Sequence, residues 1–123
     1  MNKGKIMIVD DSELILEMVK CILEDAGYQV VTRDTPFGTA VAAAAEKPDL
    51  ILLDVAMPAL SGNKIVEVVK ENHKLQDVKV CLFSDRSIRE LNNLVSSCGA
   101  DGFIQKTDDD NDFVRQVDAY MNK

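Results

Sequence analysis

Pro48-Asp49-Leu50-Ile51-Leu52-Leu53-Asp54-Val55-Ala56-Met57-Pro58 is the stretch on which the reading of the fold turns. The unbroken aliphatic run Leu50 to Leu53 lacks the alternation of a half-exposed strand, so it predicts a strand buried on both faces of a parallel sheet. Pro48-Asp49 brackets it on one side and a loop from Pro58 to Gly62 on the other. Asp54 closes the run at the strand's carboxyl end, where open α/β sheets hold their ligands. It is the candidate reactive residue.

The same strand-then-acid pattern occurs upstream, where Ile6-Met7-Ile8-Val9 ends on Asp10-Asp11. Ile15, Met18, Val19 and Ile22 then recur at helical spacing, with Asp11 or Ser12 as N-cap and Gly27 as terminator. Tyr28 to Thr32 is β-branched and predicts a second strand. Thr35-Pro36 supplies a cap and a first-turn proline for a second helix, whose expected buried stripe is Phe37, Ala40, Val41, Ala44 and Ala45.

Downstream of the opening stretch, Ile65, Val66, Val68 and Val69 mark a third helix ending near Asn72. Lys79 to Phe83 is a fourth strand ending on Ser84, and Cys81 within it is a small core residue. Ile88, Leu91, Val95 and Cys98 give a fourth helix one apolar face, closed by Gly99. Gly102 to Gln105 is a short fifth strand ending on Lys106, and Phe113, Val114, Val117 and Tyr120 complete a fifth helix. The acidic run Asp108-Asp109-Asp110 reads as a capping turn before that helix rather than as a ligand cluster. Five strands alternating with five helices on short loops predict a doubly wound α/β sheet with right-handed crossovers.

At 123 residues, 46% hydrophobic and 28% charged, residues 1–123 are expected to form one soluble globular domain. A net charge of -7 without a Lys/Arg cluster argues against direct nucleic-acid binding. No apolar run approaches a membrane span, and Met1 to Lys5 leads into a strand rather than a signal sequence, so no membrane partner and a cytoplasmic location are expected. The three cysteines, Cys21, Cys81 and Cys98, lack metal-ligand or disulfide spacing. His73 is expected on the surface without a role.

In a parallel sheet the strand ends Asp10-Asp11, Asp54, Ser84 and Lys106 share one edge. Three carboxylates in one crevice repel unless a cation neutralises them. Mg2+ takes a few carboxylates, water and a phosphoryl oxygen, which suits such a site. Lys106 would pair with a carboxylate at rest and with phosphoryl oxygens after transfer, and the Ser84 hydroxyl would donate to another oxygen. Phosphoryl transfer depends mainly on positioning and charge neutralisation, which these groups supply.

With these residues in place, the chain resembles a response-regulator receiver domain of two-component phosphorelays, of the chemotaxis-regulator kind, over essentially its whole length. Asp10-Asp11 matches the family's acid pair, Asp54 to Gly62 its Asp-x-x-Met-Pro-x-x-x-Gly, and Ser84 and Lys106 its later polar positions. The resemblance implies a flavodoxin-like sheet in the order 2-1-3-4-5. It implies that Asp54 accepts a phosphoryl group from a histidine kinase or histidine phosphotransfer protein. It also implies that Asp11, Asp54 and the Ala56 backbone carbonyl hold Mg2+, with Asp10 acting largely through bound water. Ser84 and Phe103 take the positions of the switch pair, which would bias a surface of helix four, strand five and helix five toward a downstream target or output domain.

Two positions depart from the family pattern. Asp85 stands where a small residue is common, followed by Arg86; an acid there has three available effects, repelling an incoming phosphodonor, pairing with Arg86, or altering the lifetime of the aspartyl phosphate. Thr107 replaces the usual proline after Lys106. A non-proline cis bond costs about 3 kcal/mol, so the Lys106-Thr107 bond is either trans or held under strain. Three rival functions are available. A Mg2+-dependent phosphatase of the haloacid dehalogenase kind needs a second acid where this chain has Ala56. A flavodoxin-type cofactor binder would not explain the acids and lysine. A receiver-like interaction module that is never phosphorylated would need no complete acid and lysine set.

Overall fold

A computed structural model describes residues 3–55 and 62–122. In chain order it contains β1 (Lys5–Val9), α1 (Glu13–Asp25), β2 (Gln29–Arg33), α2 (Thr39–Glu46), β3 (Leu50–Asp54) and α3 (Gly62–Glu71). A 3-10 turn (His73–Leu75), β4 (Lys79–Ser84), α4 (Ile88–Cys98), β5 (Gly102–Gln105) and α5 (Asp110–Met121) follow. All strand pairs are parallel, in the order β2-β1-β3-β4-β5, which is the doubly wound, flavodoxin-like arrangement. The register sets Val9 beside Leu53, Asp54 beside Phe83, and Ser84 beside Gln105, so the strand tips end level with one another.

Strand pleating divides the core in two. Met7, Val9, Ile51, Leu53, Val80 and Leu82 pack with Ala43 of α2, Val66 and Val69 of α3, and Cys98 of α4. The alternate residues Ile6, Ile8, Leu50, Leu52, Cys81, Phe83 and Ile104 pack with Leu16, Val19 and Leu23 of α1 and with Phe113 and Val117 of α5. Leu50 to Leu53 are all fully buried, two on each side, as a strand covered on both faces requires. Cys81 is in the core, and His73 is exposed.

Among the described residues, side-chain caps start three of the α-helices. Ser12 Oγ accepts from the Ile15 amide, Ser87 Oγ accepts from the Glu90 amide, and Asp109 accepts from the Asn111 and Asp112 amides. The acidic run before α5 is thus a capping turn. Gly99 closes α4 with φ 80°, a left-handed conformation that a side chain would strain.

The second helix differs from its sequence pattern. It begins at Thr39 rather than after Thr35-Pro36, because Gly38 takes the cap position with φ 75° while Arg33 Nη2 donates to the Phe37 carbonyl at 2.6 Å. Thr35 to Gly38 are thereby held in a turn, and Thr39 donates its hydroxyl to the Pro36 carbonyl at 2.7 Å. That start turns Thr39 and Ala43 toward the sheet and leaves Phe37 and Val41 58% and 76% exposed, with Ala45 exposed too. Ile88 is likewise exposed: it opens α4 at the carboxyl edge, where the strands have ended, and Leu91 and Cys98 carry the buried face. The 3-10 turn was not foreseen; Asn72 Oδ1 caps it by accepting from the Lys74 amide, which drives Leu75 into the core.

Two tyrosines fasten α5. Tyr28 lies just ahead of β2 and donates its hydroxyl to Asp118, which also accepts from Lys3 Nζ at 3.3 Å. The Tyr120 hydroxyl accepts from the Phe103 amide and donates to the Phe103 carbonyl, each at 3.2 Å. A Cβ on Gly102 would stand 2.1 Å from that hydroxyl, so only glycine leaves it room.

Leu52→Ala is expected to cost about 2–5 kcal/mol in urea unfolding, whereas Val41→Ala changes stability by no more than about 0.5 kcal/mol. Equal costs would contradict the burial pattern. Burial, reinforced by the bond to the Asp118 carboxylate, pushes the Tyr28 hydroxyl far above the usual tyrosine range. Its folded value lies above its unfolded one, so the stabilisation is complete below about pH 10 and is lost as pH rises beyond that. Tyr28→Phe should therefore flatten the alkaline fall of the urea midpoint, measured from about pH 8 to about pH 11; an unchanged slope would count against the bond's role.

Candidate functional site

Asp10 follows β1, Asp54 and Ser84 close β3 and β4, and Lys106 follows β5, so all four reach the carboxyl edge of the sheet. Lys106 is fixed at its backbone, whose amide donates to the Ser84 carbonyl at 2.7 Å and extends the ladder by one residue. Among the described residues no peptide bond is cis, so Lys106-Thr107 is trans, and Lys106 nevertheless reaches the site.

Lys106 Nζ lies 3.3 Å from Asp10 Oδ2 and 4.0 Å from Asp54 Oδ1. It also sits 5.1 Å from the centre of the Phe83 ring, a further attraction for a cation. Asp10 is 1% exposed and Asp54 5%, whereas Asp11 is exposed. The second Asp10 oxygen accepts from the Ser12 amide at 2.9 Å, at the N-terminus of α1. A buried carboxylate is tolerable only with such partners.

Each of Asp10, Asp11 and Asp54 offers an oxygen within 4.8 Å of the other two. Three hard oxygen donors, two of them buried, with one ammonium beside them, fit a hard divalent cation such as Mg2+. The Ala56 carbonyl expected to join them lies outside the described residues, as do Met57 and Pro58 of the same motif.

Ser84 is buried, and its Oγ accepts from the Arg86 amide at 3.1 Å. Gln105 Nε2 holds the Arg86 carbonyl at 2.9 Å, so the loop after β4 is pinned at both ends of Arg86. Asp85 and Arg86 are exposed and form no ion pair with each other. Strand alternation sets Ser84 on the side of Val80 and Leu82, and Phe103 packs on that same core beside α4. Asp54, by the same alternation, continues Leu50 and Leu52 on the α1 and α5 side.

Phe83 and the Ser12 amide were missed as parts of the site. Phe83 could have been found from its parity, since it shares a sheet face with Asp54 and with the Ile104 that leads toward Lys106. The Ser12 contact has no side-chain signal, because a backbone amide makes it.

The family model for the response regulator receiver domain matches residues 6–118, and the chain belongs to that family. It is 33% identical over 106 residues to the alkaline phosphatase synthesis transcriptional regulatory protein PhoP of Bacillus subtilis. That match takes in 86% of this chain but 43% of PhoP, so the chain spans less than half the length of that relative. It is 23% identical over 116 residues to the polar-differentiation response regulator DivK of Brucella anthropi, covering 94% of each. Among solved structures, the chemotaxis response regulator CheY4 of Vibrio cholerae superposes with a TM-score of 0.86 at 26% identity, covering 95% of this chain and 98% of that one. Receiver domains are the signalling domains of two-component systems, where response regulators interact with histidine kinases and output targets. Among the described residues no helix is long and apolar enough to cross a membrane.

Lys106→Met removes the ammonium from a buried carboxylate, and in EDTA it is expected to lower unfolding free energy by about 1–3 kcal/mol. Added Mg2+ should raise the variant's melting temperature more than the wild type's, because it replaces the missing positive charge. Equal Mg2+ responses would show that ammonium and cation do not share the carboxylates.

Proposed function

We propose that Asp54 accepts a phosphoryl group from the phosphohistidine of a histidine kinase or histidine phosphotransfer protein, and that the phosphorylated domain signals through its α4-β5-α5 surface. The reading rests on the convergence of Asp10, Asp11, Asp54 and Lys106 at one sheet edge. An Asp54 carboxylate oxygen forms the new bond to phosphorus while the bond from phosphorus to the histidine nitrogen breaks, and that nitrogen keeps the electron pair. Lys106 exchanges part of its contact with the carboxylates for a phosphoryl oxygen. Asp10, Asp11 and Asp54, with the Ala56 carbonyl, would hold Mg2+, which when bound neutralises charge on the carboxylates and the phosphoryl oxygens.

Ser84 then gives up the Arg86 amide and donates its hydroxyl to another phosphoryl oxygen. Phe103, half-buried against α4 on the same side of the sheet, takes up the space that Ser84 leaves. A local change in bonding at Asp54 thereby reaches α4, β5 and α5, where a downstream protein or an output domain would read it. The domain is modified and regenerated; it is not an enzyme that turns over a separate small-molecule substrate.

Incubation with acetyl phosphate and Mg2+ should add one phosphoryl group to the wild type by intact mass and none to Asp54→Asn. If neither this donor nor a phosphohistidine protein labels the wild type, the non-phosphorylated interaction module becomes the better description.

A further inference from the structure

Asp85 is the first residue past Ser84 and is exposed at the rim of the site. A cavity of about 560 Å3 between α1 and α5 has Asp85 and Lys106 on its lining, together with Thr107, Asp108 and Asp110. The site's cation and the rim acid therefore face one open space. Among the described residues Asp85 forms no ion pair, and the 3.1 Å hydrogen bond from the Arg86 amide to Ser84 Oγ holds the loop that carries it.

The charges at this edge add simply. Asp10, Asp11 and Asp54 oppose Lys106, leaving two negative charges that a divalent cation would cancel. Asp85, Asp108 and Asp110 line the same cavity as Lys106 and add negative charge on the approach to that ammonium. A free dianionic acyl phosphate meets repulsion there. A phosphoramidate-type donor, whose phosphorus is bonded to a positively charged nitrogen, brings a cation that Asp85 can attract.

We infer that Asp85 sets the charge class of phosphodonor that Asp54 accepts, favouring donors with a cationic leaving nitrogen over free dianionic acyl phosphates. This rests on Asp54 being the phosphoacceptor. In either reaction an Asp54 oxygen forms the bond to phosphorus. With the acyl phosphate the phosphorus–oxygen bond breaks and the carboxylate leaves with the electron pair; with phosphoramidate the phosphorus–nitrogen bond breaks and the protonated nitrogen leaves as ammonia. Asp85 touches neither reacting atom in this scheme; it is a specificity residue at the entrance.

The test compares initial rates of Asp54 phosphorylation from acetyl phosphate and from phosphoramidate, with Mg2+, in the wild type, Asp85→Asn and Asp77→Asn. Asp77, exposed just ahead of β4, gives the same change of net charge at the opposite edge of the sheet. Asp85→Asn should speed acetyl phosphate on the order of five- to tenfold, the effect of one charge acting on a dianion through water at a separation of roughly 8 Å. Phosphoramidate should change by less than about twofold, and rising salt should narrow the acetyl phosphate gap. Asp77→Asn should match the wild type with both donors. Equal acceleration of both donors, or none, overturns the inference while leaving Asp54 as acceptor. A calorimetric Mg2+ titration in which Asp85→Asn loses most of its affinity also overturns it, because Asp85 would then act on the cation. If no donor labels Asp54 in the wild type, the phosphoacceptor reading and this inference fail together.

Discussion

Lys106 forms ion pairs with both Asp10 and Asp54, and the carboxyl edge depends on that ammonium. Asp10 is almost wholly buried, and a carboxylate taken out of water costs several kcal/mol unless it is paired. Asp10 has two such partners, the Lys106 ammonium on one oxygen and the Ser12 amide on the other. One ammonium among three acids still leaves the edge negative. The cluster is thus stable enough to fold and unbalanced enough to attract a hard cation. The ammonium itself lies over the Phe83 ring, which steadies it without committing it to one carboxylate.

The sheet separates what this edge does chemically from what it transmits. Alternation along parallel strands sends Asp54 toward the layer of α1 and α5, and sends Ser84 and Phe103 toward the layer of α2, α3 and α4. Because Asp54 is in register with Phe83, Ser84 lies one residue farther along its strand and on the other face. The charged groups therefore meet on one side, while the hydroxyl next to them is already part of the other side's packing.

Much of this was legible because burial on both faces and strand-end acids leave strong marks on a sequence. Leu50 to Leu53 declared a central strand, and the residues after Val9, Leu53, Phe83 and Gln105 declared a shared edge. The errors fall where backbone geometry overrides composition. Thr35-Pro36 resembles a helix start, yet Gly38 in a left-handed conformation and Arg33 bound to the Phe37 carbonyl move the start to Thr39. In an alanine-rich helix nearly every face is apolar, so its sequence pattern could not tell which face meets the sheet. Pairing of Asp85 with Arg86, one of the possibilities adjacency offered, does not occur: both side chains are exposed, and Arg86 is held instead through its backbone by Ser84 and Gln105. The Ser12 amide in the site left no mark at all, since every residue except proline has one.

Tyr120 carries a consequence beyond holding α5 in place. β5 is an outermost strand, and such a strand normally presents a row of open amides and carbonyls to which another chain can add itself. The Tyr120 hydroxyl answers both backbone groups of Phe103 at the middle of that row. Gly102 leaves the space for it, so the absence of one side chain lets another act as a stopper against sheet extension and aggregation. Encounters along this flank are thereby steered from backbone pairing toward contacts between side chains, which can be made and released as a signal requires.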